Sequence, residues 1–153
     1  MGPLRQVAVG DPYIRRGLWP TAEPGLSSKV LGRRYGIYEV GRIGIAIAKR
    51  LRAFDVSISY CSRTQRGVPY SFHDTPRELA ANYDVLVVTV GASDQTRNAI
   101  NADVLHALAP DGFLTNLGRG AVVDEPALVE PLREGRIAGG ALDVLRQRAS
   151  FSQ

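Results

Sequence analysis

Tyr35-Gly-Ile-Tyr-Glu-Val-Gly-Arg-Ile-Gly-Ile-Ala-Ile-Ala-Lys-Arg-Leu-Arg-Ala-Phe54 decides the fold. Its first six residues, Tyr35 to Val40, form a short apolar run of strand length. From Arg42 to Phe54, Ile43, Ile47, Leu51 and Phe54 recur at helical spacing with Ala46 and Ala48 between them. A strand that passes through a glycine turn directly into a helix is the opening of a β-α unit. Outward from it the scheme repeats. Asp55 to Cys61 sets Val56, Ile58 and Tyr60 against Ser57 and Ser59, a period-2 strand. Ser62 to Asp74, with Gly67 and Pro69, reads as a polar loop. Thr75, Pro76 and Glu78 form a helix start with an N-cap and a capping box. Val85-Leu-Val-Val-Thr-Val90 has the continuous apolar character of a parallel strand buried on both faces. Asn101 caps a helix through Leu108, Gly112 to Asn116 is a strand, and Asp124 to Glu134 is a helix stopped by Gly135, with Pro131 expected to kink or shorten it. Ile137 to Val144 is the last strand.

This alternation demands a parallel sheet with right-handed crossovers and helices on both faces. The expectation is an α/β, Rossmann-type doubly wound sheet of order 3-2-1-4-5, with a sixth strand missing. Residues 1–30 read as a lead-in punctuated by Gly10, Pro12, Gly17, Pro20, Pro24 and Gly25, residues 31–145 as the domain, and 146–153 as a tail. At 153 residues, 44% hydrophobic and 22% charged, the chain has globular composition and room for one domain. No apolar run reaches the roughly 20 residues of a membrane helix, and the N-terminus lacks a secretory apolar core. A lone cysteine, Cys61, favours a cytosolic location. The net charge of +4 is carried by scattered arginines, not by a basic run interleaved with aromatics, which argues against nucleic acid. No metal-ligating cluster is read.

In such a sheet the ligand lies at the carboxyl ends of the strands, beside the first one. There Val40, Gly41, Arg42, Ile43 and Gly44 occupy the position of a dinucleotide fingerprint. Gly41 would let the backbone approach a pyrophosphate, and Gly44 would let helix and strand pack closely. The first glycine of the fingerprint is Glu39. A carboxylate about 4 Å from a phosphate costs roughly 4 kcal/mol at an effective dielectric of 20, about a thousandfold in affinity. A side chain turned away would avoid this but strain a glycine-type backbone angle; the competing reading is a turn that no longer binds. After the second strand, Ser62, Arg63 and Thr64 stand where an NAD site carries an acid, and Arg63 can pair with a 2′-phosphate, so NADP is expected over NAD. The alternative is a surface turn. Arg119, between Gly118 and Gly120, can grip a substrate carboxylate through two parallel bonds, with Asp143 facing the same crevice; the alternative is a loop salt bridge between them.

Together these segments resemble the D-isomer-specific 2-hydroxyacid dehydrogenases, in particular the NADP-preferring glyoxylate/hydroxypyruvate and hydroxyphenylpyruvate reductases of plant type. The likeness runs from about Tyr13 to Val144 and is carried by Val40–Gly44, Ala48–Phe54, Ile58–Thr64, Asp84–Val88, Asn116–Glu125 and Gly139–Val144. It implies a cofactor turn at Val40–Ile43, an adenosine-phosphate loop at Ser62–Thr64, and cofactor contacts at Leu117 and Asp143. It makes Arg119 the residue that holds the carboxylate of a 2-oxoacid reduced by NADPH, and residues 1–30 the remnant of an interdomain helix. The family's catalytic Glu is replaced by Arg148, and its catalytic His belongs to a segment beyond Gln153. The chain alone is therefore expected to be inactive, and to pair with itself or with a full-length relative. The alternative is a non-catalytic nucleotide- or partner-binding module.

Overall fold

The computed structural model describes residues 2–19 and 27–146. Its centre is a sheet in which every pairing is parallel. The strands are β1 (Arg34–Tyr38), β2 (Ser57–Cys61), β3 (Ser71–His73), β4 (Val85–Val88), β5 (Phe113–Asn116) and β6 (Gly139–Leu142), in the order β3-β2-β1-β4-β5-β6. Helices α1 (Val7–Arg15), α2 (Arg42–Leu51), α3 (Pro76–Asn82), α4 (Ala102–Ala107) and α5 (Glu125–Arg133) accompany it. Alternate residues of each central strand feed two cores. Val85 and Val87 join Tyr35, Ile37, Ala48 and Leu51 beneath α2, while Leu86 and Val88 join Leu79, Leu105 and Leu128 beneath α3, α4 and α5. The continuous apolar run at Val85 is thus explained by burial on both faces.

Two expectations are corrected. The sheet has six strands, not five, and the strand at Val85 pairs with β1 through Tyr35↔Val85 to Tyr38↔Val88, not with β2. Ser71–His73 takes the place beside β2. This strand sits at the edge, is three residues long, and holds one apolar residue, Phe72, which meets Tyr60 with ring centroids 5.4 Å apart. An edge strand buried on neither face carries no apolar run, so its sequence is indistinguishable from the loop around it.

The capping signals act as expected, and the proline and glycine breakers do not all interrupt helices. Thr75 accepts from the Glu78 N–H and Asn101 from the Val104 N–H, both at 3.1 Å. The Glu78 carboxylate reaches the Asp74 N–H, one residue before the N-cap. The helix after β1 tightens into a 3-10 turn at Arg52–Phe54. Helix α5 continues past Pro131 to Arg133. Within residues 1–30, α1 forms despite Gly10 and Pro12, and Leu4 just before it is buried in the α2-side core.

At the amino ends of β1 and β4, Asp84 accepts from the Arg34 N–H at 2.8 Å and from the Arg34 guanidinium at 2.6 Å. Burial raises the Asp84 pKa, but the bonds from Arg34 outweigh it and hold the carboxyl below its ordinary value. A depressed folded-state value means stability that is present above the unfolded pKa of about 3.9 and lost as pH falls through the folded one. Asp84→Asn is expected to cost about 1 kcal/mol in urea unfolding at pH 7, with the gap to the unsubstituted chain narrowing towards pH 3; a gap that is constant with pH contradicts this. In β2, burial and then the Glu39 and Asp74 carboxylates push the Cys61 thiol up to about 12. The native chain at pH 8 is expected to react with a disulfide reagent only after addition of denaturant, and prompt native labelling contradicts that.

Candidate functional site

The carboxyl ends of β1, β2 and β4 surround a cleft of about 300 Å³, lined among others by Glu39, Ser62, Arg63, Val90 and Thr96. It lies where the strand order reverses, with β2 on one side of β1 and β4 on the other.

Glu39, at the start of the turn between β1 and α2, lines one wall of it. Gly44 is buried in the first turn of α2, where a Cβ would collide with the Glu39 carbonyl oxygen, so only glycine lets the helix sit this close. That carbonyl also accepts from the Thr89 hydroxyl at 2.5 Å, and the Glu39 N–H donates to the Cys61 carbonyl at 2.7 Å. Held in this way, Glu39 adopts φ 77°, the left-handed region that a side chain disfavours by about 1–2 kcal/mol. Gly41 is the N-cap of α2, with no side-chain cap bond and no atom within 4 Å of where its Cβ would lie. Helices α3, α4 and α5 each have a side-chain cap, from Thr75, Asn101 and Asp124. The start of α2 thus has no capping side chain, and with Arg42 and Ile43 exposed its first backbone donors and positive dipole end face the surface beside Glu39, which itself lines the cleft. This arrangement suits a phosphate.

The loop after β2 is tied to this turn. Ser62 is buried, and its hydroxyl accepts from the Val40 N–H at 3.1 Å, while Arg63 and Thr64 stay exposed. Ser62 therefore serves first as a structural clasp. The Glu39 carboxylate does not stand alone: Arg66 lies 3.2 Å from it. A half-exposed pair of this kind adds about 0–1 kcal/mol to stability, no more than the strain it accompanies. Arg66 is itself fixed by the buried Tyr60 hydroxyl. Sequence reading missed this pair. Two signals pointed to it: a carboxylate in a glycine position needs a counter-ion, and an inward Tyr60 needs a partner for its hydroxyl.

The residues after β5 take different places. Arg119 is exposed and donates to its neighbour, the Gly118 carbonyl, at 2.9 Å; the loop is braced by Asn116, whose amide donates to the Arg119 carbonyl at 3.1 Å. Gly118 and Gly120 are required by the protein's own backbone, since a Cβ at either would strike Val90 or Leu145 and Arg146. Leu117 packs into the α2-side core and borders a cavity with Tyr35 and Leu51, separate from the cleft. Asp143 is anchored by its N–H to the Asn116 carbonyl at 3.0 Å and has an exposed side chain. No ion pair joins it to Arg119 among the described residues. Neither histidine lines the cleft: His73 meets the Tyr83 hydroxyl at 3.2 Å, and His106 meets Arg136 at 2.6 Å. Arg148 lies outside the described residues.

Comparison with known proteins agrees with this geometry. The profile of the D-isomer specific 2-hydroxyacid dehydrogenase NAD binding domain matches residues 1–151. A hydroxyphenylpyruvate reductase of Plectranthus scutellarioides is 45% identical over 145 residues, which is 94% of this chain and 46% of that protein. A glyoxylate/hydroxypyruvate reductase A of Arabidopsis thaliana is likewise 45% identical, over 94% of this chain and 46% of its own length. The crystal structure of an NADPH-dependent glyoxylate/hydroxypyruvate reductase from Sinorhizobium meliloti, in complex with NADP and malonate, superposes with a TM-score of 0.90 at 42% identity, covering 99% of this chain and 49% of that one. The chain spans about half the length of the relatives it matches. With the glycine turn, the strand order and the matched motifs in agreement, the chain belongs to the D-isomer-specific 2-hydroxyacid dehydrogenase family and carries its NAD-binding domain.

Proposed function

We propose that this chain binds NADPH in the cleft beside β1 and forms the cofactor half of a reductase acting on 2-oxoacids of the glyoxylate and hydroxypyruvate type. The observation that carries this is the uncapped start of α2 at the point where the strand order reverses. The residues present fit the cofactor. Gly41, Arg42 and Ile43 would receive the pyrophosphate on free backbone donors, with Val40 and Gly44 shaping the turn. Arg63 and Thr64 would take the 2′-phosphate, and the absence of an acid at this strand end disfavours NAD as the partner. Asp143 and Leu117 stand at the family's cofactor-contact positions, Asp143 with an exposed side chain and Leu117 packed into the α2-side core, where its side chain is turned from the cleft. When bound, the cofactor supplies the hydride. Arg119 would hold the oxoacid carboxylate and orient its carbonyl.

Several further parts belong to the same reading. Helix α1 is the remnant of an interdomain connection, and the chain pairs with a second copy or with a full-length relative. A cytosolic location agrees with the single, buried, unpaired Cys61; no helix among the described residues is long and apolar enough to cross a membrane. The paired state of Arg33, Arg34, Arg66 and Arg136 with carboxylates supports a solvated surface over a nucleic-acid face. A non-catalytic module is the second reading, favoured by the strained Glu39 and its carboxylate at the cofactor turn.

Calorimetric titration of the 153-residue chain is expected to show NADPH binding more tightly than NADH, with Arg63→Ala weakening NADPH about tenfold and NADH little. Equal affinities, or tighter NADH, contradict the Arg63 assignment. No NADPH oxidation with glyoxylate or hydroxypyruvate is expected from this chain alone, because neither histidine lies in the cleft to donate a proton; turnover clearly above a heat-inactivated control contradicts this.

A further inference from the structure

Arg66 is held more firmly than a loop arginine needs to be. The Tyr60 hydroxyl, wholly buried in β2, accepts from the Arg66 N–H at 2.7 Å and donates to the Arg66 carbonyl at 3.0 Å. The Val68 N–H closes on the same carbonyl at 2.8 Å. With its backbone fixed at both polar atoms, the residue sends its guanidinium 3.2 Å from the Glu39 carboxylate. Glu39 is fixed in turn by Cys61 and Thr89, in a conformation that glycine would adopt without strain. Two independently clamped residues, Glu39 on the wall of the cleft and Arg66 in the loop after β2 that also sends Arg63 to the cleft, thus meet in an ion pair too exposed to account for the strain by its own contribution to stability.

We propose that Arg66 is a second contact for the 2′-phosphate of NADPH and that Glu39 is its positioning residue, so that the pair sets the preference for NADPH over NADH. This rests on the cofactor reading given above. A guanidinium has five donors, so Arg66 can keep one edge on Glu39 while its remaining N–H groups turn to a phosphate. Together with Arg63 it would present two cations to a group carrying close to two negative charges. NADH has a hydroxyl in that place, and Arg66 then stays on Glu39 and adds nothing. Glu39 acts in two opposed senses. Its carboxylate lowers affinity for the pyrophosphate of either cofactor, and its hold on Arg66 favours NADPH alone.

The test is titration of NADPH and NADH into the full 153-residue chain and into Arg66→Ala, Arg66→Lys and Glu39→Gly, each checked for an unchanged melting transition. Arg66→Ala is expected to weaken NADPH about tenfold and NADH less than about twofold. Arg66→Lys should recover part of the preference, as a point charge without the fork. Glu39→Gly should tighten NADH more than NADPH, so that the preference falls although binding improves. High salt should shrink the preference of the unsubstituted chain more than that of Arg66→Ala, in which only Arg63 remains to be screened. Equal weakening of both cofactors in Arg66→Ala, or no change in either, overturns the role of Arg66 and leaves the cofactor reading standing. An unsubstituted chain that binds neither cofactor overturns both.

Discussion

The close approach of α2 to the carboxyl end of β1 governs what this domain can do. It exists because Gly44 has no Cβ to strike the Glu39 carbonyl, and because the Thr89 hydroxyl on the neighbouring strand holds that same carbonyl. Once the helix is fixed there, its first turn is left without a capping side chain, one residue on from the Glu39–Val40 corner of β1. The Val40 N–H is then in place for Ser62, which draws in the loop after β2. On the proposed reading, phosphate affinity at this turn would be a property of backbone placement, refined by side chains from β2 onward.

Glu39 shows how such a turn tolerates an unfavourable residue. The backbone angle is imposed by neighbours on three sides, and the carboxylate is brought close to Arg66 instead of being left facing the cleft unpaired. The approximate cost of a bare carboxylate near a phosphate, about 4 kcal/mol at an effective dielectric of 20, therefore overstates the penalty. A paired guanidinium cancels much of the field at the distance of a bound anion.

Much of the fold was legible in the sequence because it follows from periodicity. The two-faced burial of Val85–Val88 and the caps at Thr75 and Asn101 each rest on residues within one element. The edge strand at Ser71–His73 was not legible, because an edge is defined by what it pairs with and not by its own composition. Its omission also shifted the strand order, placing the Val85 strand on the wrong side of β2. The close helix–strand packing at Gly44 and the place of Arg63 on the cleft wall could be read from position relative to a strand. The Glu39–Arg66 pair and the packing of Leu117 into the core depend on residues brought together by the tertiary fold. The glycines around Arg119 leave room for the protein's own backbone at Val90, Leu145 and Arg146, which no local pattern announces.

The central claim is that the Glu39–Gly44 turn is where the dinucleotide lands. Amide chemical-shift mapping of the isotope-labelled chain during NADPH addition tests it most directly. The account predicts saturable shifts concentrated at Gly41, Arg42, Ile43 and Gly44, with a second group from Ser62 to Arg66 and little change in α4 or α5. Shifts absent from the Gly41–Gly44 amides, or centred on the α3–α5 face of the sheet, would contradict it.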